Sequence, residues 1–180
     1  MRSGKFAGNA LDKFGGNAII DLGSDKVLKV NTGGRRNETP LSEQQVDEIK
    51  DYAASLGMPK ERVYYVDYDC TGYGISFDLL RIGTDVYPAK EYNHANANSN
   101  VSMHGAIAHE IVGHRMAALA GKNQDDEVLE EVQASIRAAK FTPDLKSSER
   151  IILYRDAVTR LRNNNIKLKD IKNKLHIFEE

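Results

Sequence analysis

The chain has 180 residues, with 25 Lys plus Arg against 26 Asp plus Glu, five His and one Cys. That length suits one domain with a real core, and a net charge of −1 supplies no overall basic field to hold nucleic acid or an anionic membrane, so neither is expected as a partner. The lone Cys70 excludes an internal disulfide and any zinc site built from several thiolates, whereas His94, His104, His109 and His114 fall within 21 residues and leave only His176 elsewhere.

The N-terminal residues lack the apolar stretch of a secretory signal, and no run approaches the ~18 apolar residues of a membrane span, so a soluble chain is expected. Residues 1–40, rich in Gly, Asn and Lys, read as a loosely structured lead-in or linker with one strand around Val27–Val30. Residues 41–180 read as a single domain. Ser42 and Gln45 form a capping box, and Val46, Ile49, Ala53 and Leu56 then recur at helical spacing until Gly57 and Pro59. Val63–Val66 and Ile75–Phe77 predict two strands around a turn at Asp69–Gly72, and a further short strand is expected around Thr84–Tyr87, stopped by Pro88. Residues 91–100 are amide-rich and read as an exposed loop carrying His94.

From Ser102 to Ala120 the pattern changes to a buried helix with polar residues on one face, ended by Gly121. Helices are expected from about Asp125 to Lys140 and from Ser147 to Arg162, with Pro143 between them. Residues 163–174 alternate Lys with Ile and Leu and suit an amphipathic tail helix, with His176 at the surface. Together these elements predict an α+β fold, a small antiparallel or mixed sheet packed on the central helix and on further C-terminal helices.

The central helix carries His109-Glu110-Ile111-Val112-Gly113-His114. In His-Glu-x-x-His the i, i+4 spacing sets both imidazoles on one helical face to bind zinc, with the glutamate beside the bound water. Here there is one residue more. On a regular helix five residues advance about 500°, leaving the imidazoles roughly 140° apart, so a plain α-helix would not chelate. One π-type turn absorbs the extra residue, and Gly113 is placed to permit that distortion. A third ligand should come from another element, and the following helix offers Glu127, Glu130 and Glu131.

His109 to His114 resembles the His-Glu-x-x-Gly-His signature of the dipeptidyl-peptidase III metallopeptidases, and Glu130-Glu131-Val132-Gln133-Ala134 resembles the Glu-Glu-x-x-Ala segment that supplies their third zinc ligand. The resemblance covers about 25 residues, as in a compact zincin of the glutamate-ligand class. It implies His109, His114 and Glu131 as zinc ligands, Glu110 as general base, and Glu130 as the carboxylate orienting a ligand histidine. A small domain behind a Gly/Asn-rich lead-in is also similar to the C-terminal toxin modules of bacterial polymorphic secretion proteins, which implies export within a larger toxin and a cognate immunity or inhibitor protein.

The chemistry so implied is zinc-dependent hydrolysis of a protein or peptide substrate, with Glu110 moving the proton of a metal-activated water. Thr84–Tyr87 is the expected substrate-binding edge strand. Tyr154, Arg150 and His104 are the candidate oxyanion donors, with Tyr154 expected beside Glu110 as catalytic. Two other classes stay open: a metal-dependent, HNH-like nuclease toxin, suggested by His94, Asn96, His104 and His109, and a metal-stabilised binding module without catalysis.

Overall fold

The computed structural model describes residues 36–177, so the strand expected around Val27–Val30 lies outside the described residues. Helix α1 spans Glu43–Ser55; the Ser42 Oγ accepts from the Gln45 amide while the Gln45 side chain accepts from the Ser42 amide, which is the predicted capping box. Strands β1 (Val63–Tyr65), β2 (Gly72–Gly74) and β3 (Leu79–Ile82) form a mixed sheet of order β1-β3-β2, with β1 parallel and β2 antiparallel to β3. The fold is thus α+β around a small mixed sheet.

Two expected strands are instead 3-10 turns. Ile75–Phe77 coils because Asp78 adopts a left-handed conformation (φ 50°), where its carboxylate receives the guanidinium of Arg115. Thr84–Val86 coils because the chain passes against the 69–70 backbone at Gly83: a Cβ built there would lie 2.0 Å from the Asp69 carbonyl oxygen. The Asp85 carboxylate, at 2.6 Å, accepts from the Thr71 amide and fixes the same crossing. Thr84 and Val86 are buried, so this segment offers no edge. The amide-rich 91–100 loop is less exposed than its composition predicts. Asn100 bonds the Asn93 and Asn96 carbonyls, and Ala97 and Ser99 are buried beneath.

The long central helix begins at Ser102, whose Oγ accepts from the Gly105 amide. It runs as α2 (Met103–Ala108), a π-helical segment (His109–Arg115) and α3 (Met116–Leu119) without a break. Helix α4 (Glu127–Phe141), capped by Asp126, and helix α5 (Ser147–Asn163) pack against it, and α6 (Leu168–Ile171) is the helical part of the predicted tail helix. Among the described residues no helix is long and apolar enough to cross a membrane.

The main core joins Ile49 of α1 and Leu80 and Ile82 of β3 to Ile107 and Ile111 of the central helix and Leu153 of α5. Each such fully buried aliphatic contributes roughly 1.5–3 kcal/mol of transfer free energy. A second cluster of Val132, Ala157, Leu161, Ile171 and Leu175 clamps α4, α5 and the tail. The segment leading into α1 is tied in by Arg36, whose buried guanidinium donates to the carbonyls of Asp85, Val86, Asn98 and Val101. Burial lowers its pKa to about 10.

Candidate metal centre

The π-helical segment does the geometric work that a regular helix could not. It brings the Nε2 atoms of His109 and His114 to 3.1 Å from each other. Glu131, four residues into α4, places Oε2 at 3.3 Å from His109 Nε2 and Oε1 at 3.4 Å from His114 Nε2. Metal–ligand bonds of about 2.0–2.1 Å in a tetrahedron separate the donors by roughly 3.4 Å. The two imidazole nitrogens lie near that spacing, Glu131 turns a different oxygen to each of them, and one ligand atom from each of the three residues falls within 4.8 Å of the others, a group able to hold a metal ion. Glu127, on the opening turn of the same helix, is not part of the group.

Gly113 serves this site differently from the expectation. Its φ is not positive; instead, a Cβ there would lie 2.7 Å from the Ala134 carbonyl oxygen and 2.8 Å from its Cα and Cβ. The bare glycine lets α4 approach the π-helical segment closely enough to deliver Glu131.

Each donor is held from behind. His114 Nδ1 lies 2.9 Å from Glu130 Oε1, and Glu130 is fixed in turn by the Gln124 amide at 2.7 Å from Oε2. A carboxylate only accepts, so the proton sits on Nδ1 and Nε2 points at the centre. His109 Nδ1 lies 3.1 Å from Ser135 Oγ, which donates to Asp156 Oδ2 at 2.9 Å. The circuit closes through Arg160: Nε donates to Asp156 Oδ2 at 2.8 Å and Nη1 lies 2.7 Å from Glu131 Oε2. Ser135, Asp156 and Arg160 were not anticipated from the sequence. The available signal was a charged i, i+4 pair, Asp156 and Arg160, set among the apolar positions Leu153, Ala157 and Leu161.

The electrostatics favour a cation at the centre. Burial disfavours the His114 imidazolium, but hydrogen bonds to Glu130 and Glu131 outweigh it and raise its pKa to about 10. Burial also opposes ionisation of Glu131, yet the Arg160 charge and the two histidines hold it well below the usual carboxylate range. Two imidazole nitrogens and a carboxylate facing one point require a positive charge there, either a proton or a metal ion. Glu110, beside His109, is pushed up by burial against the pull of both histidines, and its Oε2 accepts from the Tyr73 amide of β2 at 2.9 Å. That bond ties β2, one of the two edge strands of the sheet, to the π-helical segment.

The remaining predicted residues lie elsewhere. Tyr154 is 42% exposed on α5, two residues and so about 200° around the helix from Asp156, on the face turned away from the cluster. Arg150 donates to the carbonyls of Ala139, Thr142, Leu145 and Pro143 and locks the α4–α5 connection. His104 sits 3.7 Å from Glu149 and edge-on to the Tyr52 ring, while exposed His94 packs on Tyr92. The histidines are therefore close in sequence but divided in space among separate partners. No protein-family model, curated protein or solved structure matches this chain.

Proposed function

We propose that this chain is a compact, zincin-like zinc metallopeptidase acting on a protein or peptide substrate. The observation that carries this reading is the meeting of His109 Nε2, His114 Nε2 and the Glu131 carboxylate at one point, with a second carboxylate, Glu110, beside them. Two imidazoles and one carboxylate, without thiolate, suit catalytic zinc with a fourth position for water. When bound, the metal would supply Lewis-acid polarisation of a carbonyl and a water of lowered pKa.

The chain's own residues supply the rest. His109, His114 and Glu131 would be the ligands, and Glu130 and Ser135 orient the two imidazoles so that Nε2 is the free nitrogen. The Glu110 carboxylate takes a proton on one oxygen and returns it to the leaving amine, while the Tyr73 amide holds its Oε2 in place. Burial raises the proton affinity of Glu110, which suits a group that must carry that proton between two atoms. Strand β2 takes the place expected of Thr84–Tyr87 as the strand beside the centre: among the described residues it pairs with β3 alone, and its Tyr73 amide is given to Glu110, so an extended substrate would lie next to this strand and the Glu110 carboxylate together.

The test is metal analysis of the purified chain together with Glu110→Gln. The expected result is one zinc per chain in both proteins, and cleavage of casein or a quenched fluorescent peptide that falls by about 10²-fold or more in the variant. A wild-type chain without zinc, or a variant that cleaves as fast as wild type, refutes the proposal. Zinc retained with no turnover of any peptide by wild type would instead favour a metal-stabilised binding module.

A further inference from the structure

We propose that Arg160 is the positioning residue that sets the metal affinity of the His109–His114–Glu131 cluster, an inference that rests on the metal site proposed above. Arg160 is only 7% exposed. Its guanidinium holds Glu131 directly, 2.7 Å from Nη1 to Oε2, and holds His109 indirectly through Asp156 and Ser135. One side chain of α5 therefore fixes two of the three donors, which come from two other elements. The third, His114, is fixed independently by Glu130 and the Gln124 amide.

Residue chemistry explains why an arginine stands here. The planar guanidinium presents donors in a fixed fork and stays charged, so it can bind two carboxylates at once at a set separation. On Glu131 it engages Oε2, the oxygen that also lies 3.3 Å from His109 Nε2, while Oε1 faces His114 Nε2, so the guanidinium fixes how the carboxylate is turned toward the two imidazoles. An ammonium would neutralise one carboxylate but would not brace the pair.

Charge and position make opposite predictions, so the sign of the effect decides the matter. Removing a cation beside the centre leaves a more negative field, which by itself tightens binding of a divalent ion. Losing the brace lets Glu131 and His109 leave their places, and loss of such outer partners weakens metal affinity by about 10- to 100-fold. Ser135→Ala separates the two further, because it cuts the link from His109 to Asp156 without altering charge.

The experiment titrates Zn²⁺ into the full chain in competition with a chelating dye, with circular dichroism verifying that each protein is folded. Arg160→Gln is expected to weaken zinc binding by about 10- to 100-fold and Ser135→Ala by about 10-fold. Arg150→Gln, which removes the arginine bonded to the α4–α5 connection, should lower thermal stability yet leave the zinc dissociation constant within about twofold, since it touches no member of the cluster. Folded Arg160→Gln with unchanged or tighter zinc binding overturns the inference. If that variant does not fold, Ser135→Ala decides alone, and unchanged affinity there overturns it. A wild-type chain that takes up no zinc overturns the underlying metal site as well, so the two failures are distinguishable.

Discussion

Gly113→Ala measures how closely α4 must approach the π-helical segment. Two effects oppose each other. Alanine in a helix interior is favoured over glycine by about 1 kcal/mol, and the backbone of Gly113 would accept it, since its φ is not positive. Against this, the new methyl would sit 2.7 Å from the Ala134 carbonyl oxygen and 2.8 Å from its Cα. These are backbone atoms of a helix, so no flexible side chain can give way. Overpacking of this kind costs roughly 1–3 kcal/mol, and a rigid neighbour puts the cost at the upper end. The net loss is about 2 kcal/mol, equivalent to roughly 4–8 °C in melting temperature at about 2–4 °C per kcal/mol. Relief of the clash moves α4 outward, and Glu131 lies one turn before Ala134. Metal sites tolerate only about 0.2 Å in ligand distance, so zinc affinity should fall together with stability. Thermal melts of metal-free and zinc-loaded protein, with dye-competition titration, read both effects. A variant that melts within about 1 °C of wild type and binds zinc equally well would refute the close-crossing argument.

Other outcomes follow from the same geometry. Chelation should destabilise the protein: at free zinc 100 times its dissociation constant, bound metal adds about 2.7 kcal/mol, seen as a melting temperature higher by roughly 5–11 °C than after chelation. The Asp78 carboxyl is held below its ordinary value of 3.8, first by the hydrogen bond from Arg115, with burial opposing and Tyr73 and Arg62 adding to the pull. A depressed folded-state pKa contributes stability that is present above 3.8 and lost as pH falls through the lower folded value. Asp78→Asn should therefore cost about 1 kcal/mol at neutral pH, the site being partly solvated, and flatten the acid limb of a denaturation profile. An unchanged acid limb would remove Asp78 as a contributor.

How much of this was legible in the sequence depends on how local each cause is. The Ser42–Gln45 capping box was readable because both partners lie within one turn. The π-helical segment was readable for a different reason: five-residue spacing brings two histidines together only if one residue is absorbed, so chemistry dictated the backbone. The lost strands had non-local causes. Ile75–Phe77 carries apolar residues fit for a strand, but Asp78 answers to Arg115, 37 residues away, and Gly83 answers to the crossing of the 69–70 backbone.

The choice among the three glutamates of α4 shows where sequence reasoning stops and packing takes over. Glu127 and Glu131 lie one turn apart on nearly the same helical face, so spacing alone cannot separate them, and Glu130 is only about 100° away. Separation comes from depth along the helix. Ala134 must meet Gly113, and that one contact fixes which turn of α4 faces the two imidazoles; Glu131 lies three residues, about one turn, before it, and Ser135 falls against His109. Glu130 is then carried to the outer nitrogen of His114, while Glu127 is a turn too early to reach the centre. A residue without a side chain therefore selects which carboxylate faces the two imidazoles, and that selection can be read only once the partner helix is in place.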